Sequence, residues 1–102
     1  MISGSNIDLN TLIVRNDKRY LASKLGEELV MMDLELGNFV LLNQVGAEIW
    51  GLSESPIAVV DLIDKLSSIY NVTYEICEQE TIQFLKTPAV QSIFTFSNIS
   101  SL

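Results

Sequence analysis

Tyr20-Leu21-Ala22-Ser23-Lys24-Leu25, then Gly26-Glu27, then Glu28-Leu29-Val30-Met31-Met32-Asp33, and, past Gly37-Asn38, Phe39-Val40-Leu41-Leu42-Asn43 form the stretch that decides the fold. Apolar and polar residues follow a strand-like period up to Asp33, and Phe39 to Leu42 is an apolar run with an aromatic and a β-branched residue, as strands favour. Gly26 supplies the positive φ of a tight hairpin turn, and a second turn centres on Gly37-Asn38. Three strands joined by short turns make an antiparallel meander. Its third strand lies at a sheet edge, with a row of unpaired backbone groups, unless something covers it.

Past Asn43 the period becomes helical. Asn43 is an N-cap residue, and Val45, Ile49 and Leu52, with Trp50 beside them, have the spacing of a buried helix face. Ser53-Glu54-Ser55 ends that helix, and Ser55-Pro56 reads as the start of a second, with proline at the first helical position. Val59, Leu62, Ile63, Leu66 and Tyr70 continue it as an amphipathic repeat. Thr73 caps a third helix, with Glu75 in its first turn and Ile76, Cys77, Thr81, Phe84 and Leu85 on its less polar side. Pro88 stops it near Lys86 or Thr87. The reading is an α+β, winged-helix-like domain, a three-stranded antiparallel meander followed by three helices.

Working outward, residues 1–19 read as an N-terminal arm, loose over residues 1–11, with Leu12-Ile13-Val14 too short to assign. Residues 20–87 form the domain, and residues 88–102 an apolar C-terminal tail. In that tail Ser92-Ile93-Phe94-Thr95-Phe96-Ser97-Asn98-Ile99 is uncharged and a good strand former. Such a strand is expected to find a sheet edge, either in its own chain, even in the groove beside the meander, or between two chains as a swapped homodimer. A solvated tail is the alternative.

Composition narrows the function. The 102 residues carry thirteen acids against six bases, a formal charge of −7, which opposes binding to phosphate backbones. No apolar run is long enough for a membrane span, and the N-terminus lacks a secretion segment. The single Cys77 fits a reducing, cytoplasmic setting, and it reads as a small buried thiol because no neighbouring base or cation lowers its pKa. With no histidine, catalytic triads and His-based metal sites have no reagents. No glycine-rich phosphate loop occurs. These absences point to a non-enzymatic protein with no catalytic residue, metal or cofactor.

From Gly26 to Trp50 the chain resembles the PqqD-like family, the recognition elements that bind leader peptides of ribosomally made, post-translationally modified peptides. The resemblance is carried by Gly26, Leu29-Val30, Asp33, Gly37 with Phe39 two places on, Leu42-Asn43 and Gly46-Ala47-Glu48-Ile49-Trp50. It extends more weakly through Val59-Val60-Asp61-Leu62-Ile63, Leu66, Tyr70 and Phe84-Leu85. Ile49-Trp50 is more similar to stand-alone elements, including those of lasso-peptide pathways, than to the pyrroloquinoline quinone protein, and Pro88 stands where the family's third helix continues.

The resemblance implies that an extended leader adds as a strand beside the third strand, with the third helix as the other wall. The implied peptide-binding residues are Phe39, Val40, Leu41 and Leu42 on the strand, and Ile76, Cys77, Glu80, Thr81, Gln83 and Phe84 on the helix. Plain core packing is the competing role for Leu42, Phe84 and Trp50. The implied partners are a precursor leader peptide and a separate modifying enzyme or leader protease, with no nucleic acid and no membrane. Glu75, Glu78 and Glu80 suggest a preference for basic leaders. The competing functions are a winged-helix transcription regulator, which the acidic third helix opposes, and an orphan interaction or dimerisation domain.

Overall fold

The structure is a computed structural model that describes residues 6–98. The meander has the expected strands: β2 (Tyr20–Leu25), β3 (Glu28–Asp33) and β4 (Phe39–Leu42), antiparallel in the order β2-β3-β4. Gly26 and Gly37 take φ of +64° and +77°, the left-handed region that glycine enters without a Cβ penalty. At the second turn the Asp33 N–H donates to the Asn38 carbonyl (2.8 Å) and the Gly37 N–H to the Asp33 carbonyl (2.7 Å). Two residues thus oppose one, a glycine bulge that sets the phase of β4.

Asp33 fixes this corner. Its buried carboxylate accepts both Arg19 guanidinium donors at 3.0 and 2.9 Å and the backbone N–H groups of Glu35 and Leu36 at 2.9 and 3.2 Å. The Arg19 hydrogen bonds hold the Asp33 carboxyl far below the usual carboxylate range.

The helices follow in the expected order: α1 (Gln44–Leu52), α2 (Val59–Tyr70) and α3 (Tyr74–Lys86). Asn43 Oδ1 accepts the Gly46 N–H at 2.9 Å and Thr73 Oγ1 the Ile76 N–H at 3.3 Å, so both anticipated caps form. α3 stops before the extended Thr87, and Pro88 opens a short helix α4 (Pro88–Gln91). A Cβ on Gly46 would lie 3.1 Å from the Phe84 ring and 3.2 Å from Leu42 Cβ. Glycine there lets α3 approach the junction of β4 and α1.

Ser55-Pro56 does not begin α2. The chain stays extended through β5 (Ile57–Ala58), which pairs with β1 (Thr11–Arg15) in the register Leu12↔Ala58 and Ile13↔Ile57, and α2 starts at Val59 without a side-chain cap. Tertiary pairing overrides the local start signal. β1 also pairs along its length with β6 (Phe94–Asn98), giving a second antiparallel sheet in the order β5-β1-β6. The arm is therefore structured from Ile7, which is buried, and the undecided Leu12-Ile13-Val14 run is a central strand. Met1–Ser5 and Ile99–Leu102, including the Ile99 of the anticipated tail strand, lie outside the described residues.

The tail meets β1 and not β4. The Asn16 N–H donates to the Ile93 carbonyl (2.9 Å), and the Tyr20 and Ser92 hydroxyls lie 2.6 Å apart. Ile93 and Phe94 are buried, and the Phe94 ring packs 6.2 Å from Trp50 and 6.3 Å from Phe84. One core thus joins both sheets and the helices. Among the described residues no helix is long and apolar enough to cross a membrane.

Candidate functional site

β4 pairs with β3 on one side only, so its other edge is open among the described residues. The bulge bond at Asp33 and Asn38 fixes which groups face that edge. Residues of an antiparallel ladder alternate between pairs that exchange hydrogen bonds and pairs that do not. Counting from Asn38 with the register Met32↔Phe39, Met31↔Val40, Val30↔Leu41 and Leu29↔Leu42, Val40 and Leu42 bond to β3. Phe39 and Leu41 then aim their N–H and C=O groups at the open edge.

Side chains alternate in the other direction. Leu42 is 2% exposed and lies in the core, whereas Phe39 and Leu41 are 62% and 57% exposed. They share the outer face of the meander with Leu21 and Met32, away from Leu42 and the helices. Of the four strand candidates, only the half-buried Val40 combines partial exposure with the inner face; Phe39 and Leu41 contribute backbone to the edge.

α3 brings its candidates together as two adjacent stripes at helical spacing. Cys77, Thr81 and Phe84 form the inner one: Cys77 and Thr81 are buried and Phe84 half-buried. Ile76, Glu80 and Gln83 form the exposed one beside it. Cys77 Sγ lies 3.6 Å from the Ile63 carbonyl, to which it donates, so this thiol is held by the core. Glu75 and Glu78 fall elsewhere. With Cys77, Thr81 and Leu85 facing inward, helical rotation turns Glu75 to the far side, and Glu78 lies beside Tyr74, whose hydroxyl its charge helps to push up after burial. Of the three acids expected at the groove, only Glu80 is there.

Cys77, Glu80 and Thr81 of α3 line a cavity of about 300 Å³ together with residues from the start of α1 and the end of α2. Val45, Leu66 and Val72 give it apolar walls, and Tyr70, Cys77, Glu80 and Thr81 complete the lining. The Tyr70 hydroxyl is the buried side-chain polar atom without a hydrogen-bond partner among the described residues. Burial pushes its pKa above the usual phenol value, and the charges of Glu48 and Glu27 add to this. In the sequence Tyr70 reads as one more apolar position of α2, and nothing marks Val45 or Val72 as part of a site. The one signal is a phenol at the last position of an otherwise aliphatic repeat.

Arg15 pairs with Asp17 (2.9 Å) and Glu54 (3.6 Å) and stacks over Trp50, and Arg19 pairs with Asp33 and Glu35. No group of three or more His, Cys, Asp or Glu residues could hold a metal ion among the described residues. The arrangement can pair with an extended backbone and receive side chains.

The family model of coenzyme PQQ synthesis protein D (PqqD) matches residues 28–88, more than half of the chain. The fold is similar to the solved structure of TbiB1 in complex with the TbiA(beta) leader peptide, at 23% identity and a TM-score of 0.68, over 79% of this chain and 93% of that one. No curated protein matches the sequence.

Proposed function

Because this chain belongs to the PqqD family, we propose that it binds the leader segment of a precursor peptide and presents it to a separate modifying enzyme or protease. The observation that carries this reading is the open edge of β4, in a fold whose α3 lines an apolar-walled cavity. An added strand satisfies the edge N–H and C=O groups whatever its sequence, and pockets at alternate positions select among peptides. The likeness to TbiB1, which holds a leader peptide, supports the same use of this fold. The role is non-catalytic. Holding the precursor raises its local concentration at the enzyme into the ~mM range when the connection is short. The setting is the cytoplasm, and the Ile49-Trp50 pair favours a lasso-peptide pathway.

A binding isotherm with the precursor encoded beside this gene tests the reading. The intact precursor and its isolated leader should bind with the same affinity, and the isolated core segment should not bind. Equal affinity for leader and core, or binding by the core alone, contradicts it.

A further inference from the structure

An antiparallel sheet with one face on the core commonly turns polar residues to solvent on the other. The meander departs from this. Its register puts Leu21, Met32 and Phe39 in one outward row and Ser23, Val30 and Leu41 in the next, with Leu25 opposite Glu28 at the hairpin end. Six of these eight residues are apolar, and Leu21, Leu25, Met32, Phe39 and Leu41 are exposed. A contiguous apolar surface of this kind marks a place where another molecule sits.

Charge decides which molecule. Glu28 is the one charged residue in the outward rows, and the two turns that bound the face carry Glu27 and Glu35 and no base. Arg19 reaches Glu35 at 3.7 Å. Lys24, the one base in the three strands, belongs to the opposite face, where it lines a cavity with Ala47 and Trp50. A second copy of the chain brings a further formal charge of −7 and the same acids to the face, which opposes self-association. A protein surface with an apolar centre and a basic rim matches both features.

We infer that the outward face of the meander docks the modifying enzyme that receives the leader, through an apolar patch on that enzyme ringed by lysine or arginine. The inference rests on the leader-binding reading and adds the surface for its second partner. Phe39 and Leu41 belong both to the open edge and to this face. A leader strand paired to β4 turns alternate side chains to the same side, so an enzyme seated on the face lies directly against it.

Binding isotherms of the full chain with the leader, and of the leader-loaded chain with the modifying enzyme encoded beside the precursor, test this. The variants are Glu28→Lys and the double variant Leu21→Thr, Met32→Thr. Leu21 and Met32 are exposed and lie on β2 and β3, off the open edge, and threonine keeps their strand preference. The double variant should bind the leader as the wild type does and bind the enzyme about tenfold more weakly or worse. Glu28→Lys should weaken the enzyme complex about threefold at low salt, and less at high salt. Unchanged enzyme affinity in the double variant, or no enzyme binding by the wild type, overturns the docking face and keeps the leader-binding reading. Unchanged or tighter enzyme binding by Glu28→Lys overturns the basic-rimmed partner. A wild-type dimer in sedimentation that the double variant turns into a monomer gives the face to a second copy and overturns the inference. A wild type that fails to bind the leader overturns the leader-binding reading and the inference with it.

Discussion

Truncation of the chain after Thr87 should abolish its cooperative folding. The segment removed contains Val90, Ile93 and Phe94, all buried, and β6, which pairs with all five residues of β1. Each fully buried side chain of this kind contributes roughly 1.5–3 kcal/mol, against a total stability of ~5–15 kcal/mol for a domain of this size. Losing β6 also strips one side of β1, whose Ile13 is fully buried, and removes the Ser92 and Ile93 contacts to Tyr20 and Asn16. A milder version separates the core from the backbone pairing. Phe94→Ala takes away the ring that packs on Trp50 and Phe84, at a cost of about 3–5 kcal/mol. That lowers Tm by roughly 12 °C or more. Circular-dichroism melts of the three proteins measure both effects. A truncated chain with an unchanged transition would show that the tail is a passive appendage and that the β1–β6 pairing does not hold the fold together.

Leu41→Pro should preserve the fold and remove most of the leader affinity. Leu41 is an exposed residue on an edge strand, and its N–H is among the groups aimed away from β3, so proline deletes no ladder bond. The same substitution takes one donor from an incoming strand and puts a ring in its path. A backbone acceptor left unpaired on binding costs about 1–3 kcal/mol, or roughly tenfold to a hundredfold in affinity. Val40→Pro is the control, because Val40 bonds to β3 and its loss should damage the sheet itself. Leader isotherms and melts on both variants give the comparison. A Leu41→Pro variant that melts normally and binds the leader normally would place the peptide elsewhere.

The parts of this fold that are legible in the sequence are those specified by neighbours in the chain. The two turn glycines, the period of β2 to β4, and the Asn43 and Thr73 caps act within a few residues, and the structure has them where the sequence puts them. The second sheet is different. β1 and β6 meet across some eighty residues, and β5 contributes only Ile57 and Ala58. No local pattern announces such pairing, and at Ser55-Pro56 the local signal points to a helix. The apolar Ile93 to Phe96 run does show that the tail needs burial, but not that β1 supplies the partner.

The site divides along the same line. The open edge follows from strand order, and the two stripes of α3 follow from helical spacing. Glu75 and Glu78 miss the groove because a place on the helix does not fix the direction a side chain faces; Cys77, Thr81 and Leu85 set that rotation. Tyr70 lines one cavity with Val45 and Thr81 from other elements, and no spacing within α2 contains that arrangement.

The central claim is that a leader adds as a strand along β4, and amide chemical-shift mapping tests it most directly. In a titration of the ¹⁵N-labelled chain with its cognate leader, strand addition predicts the largest shifts at residues 38–43 and 76–86, with the Phe39 and Leu41 amides most protected from solvent exchange. Shifts confined to the hairpin around Gly26, with residues 38–43 unmoved, would contradict it.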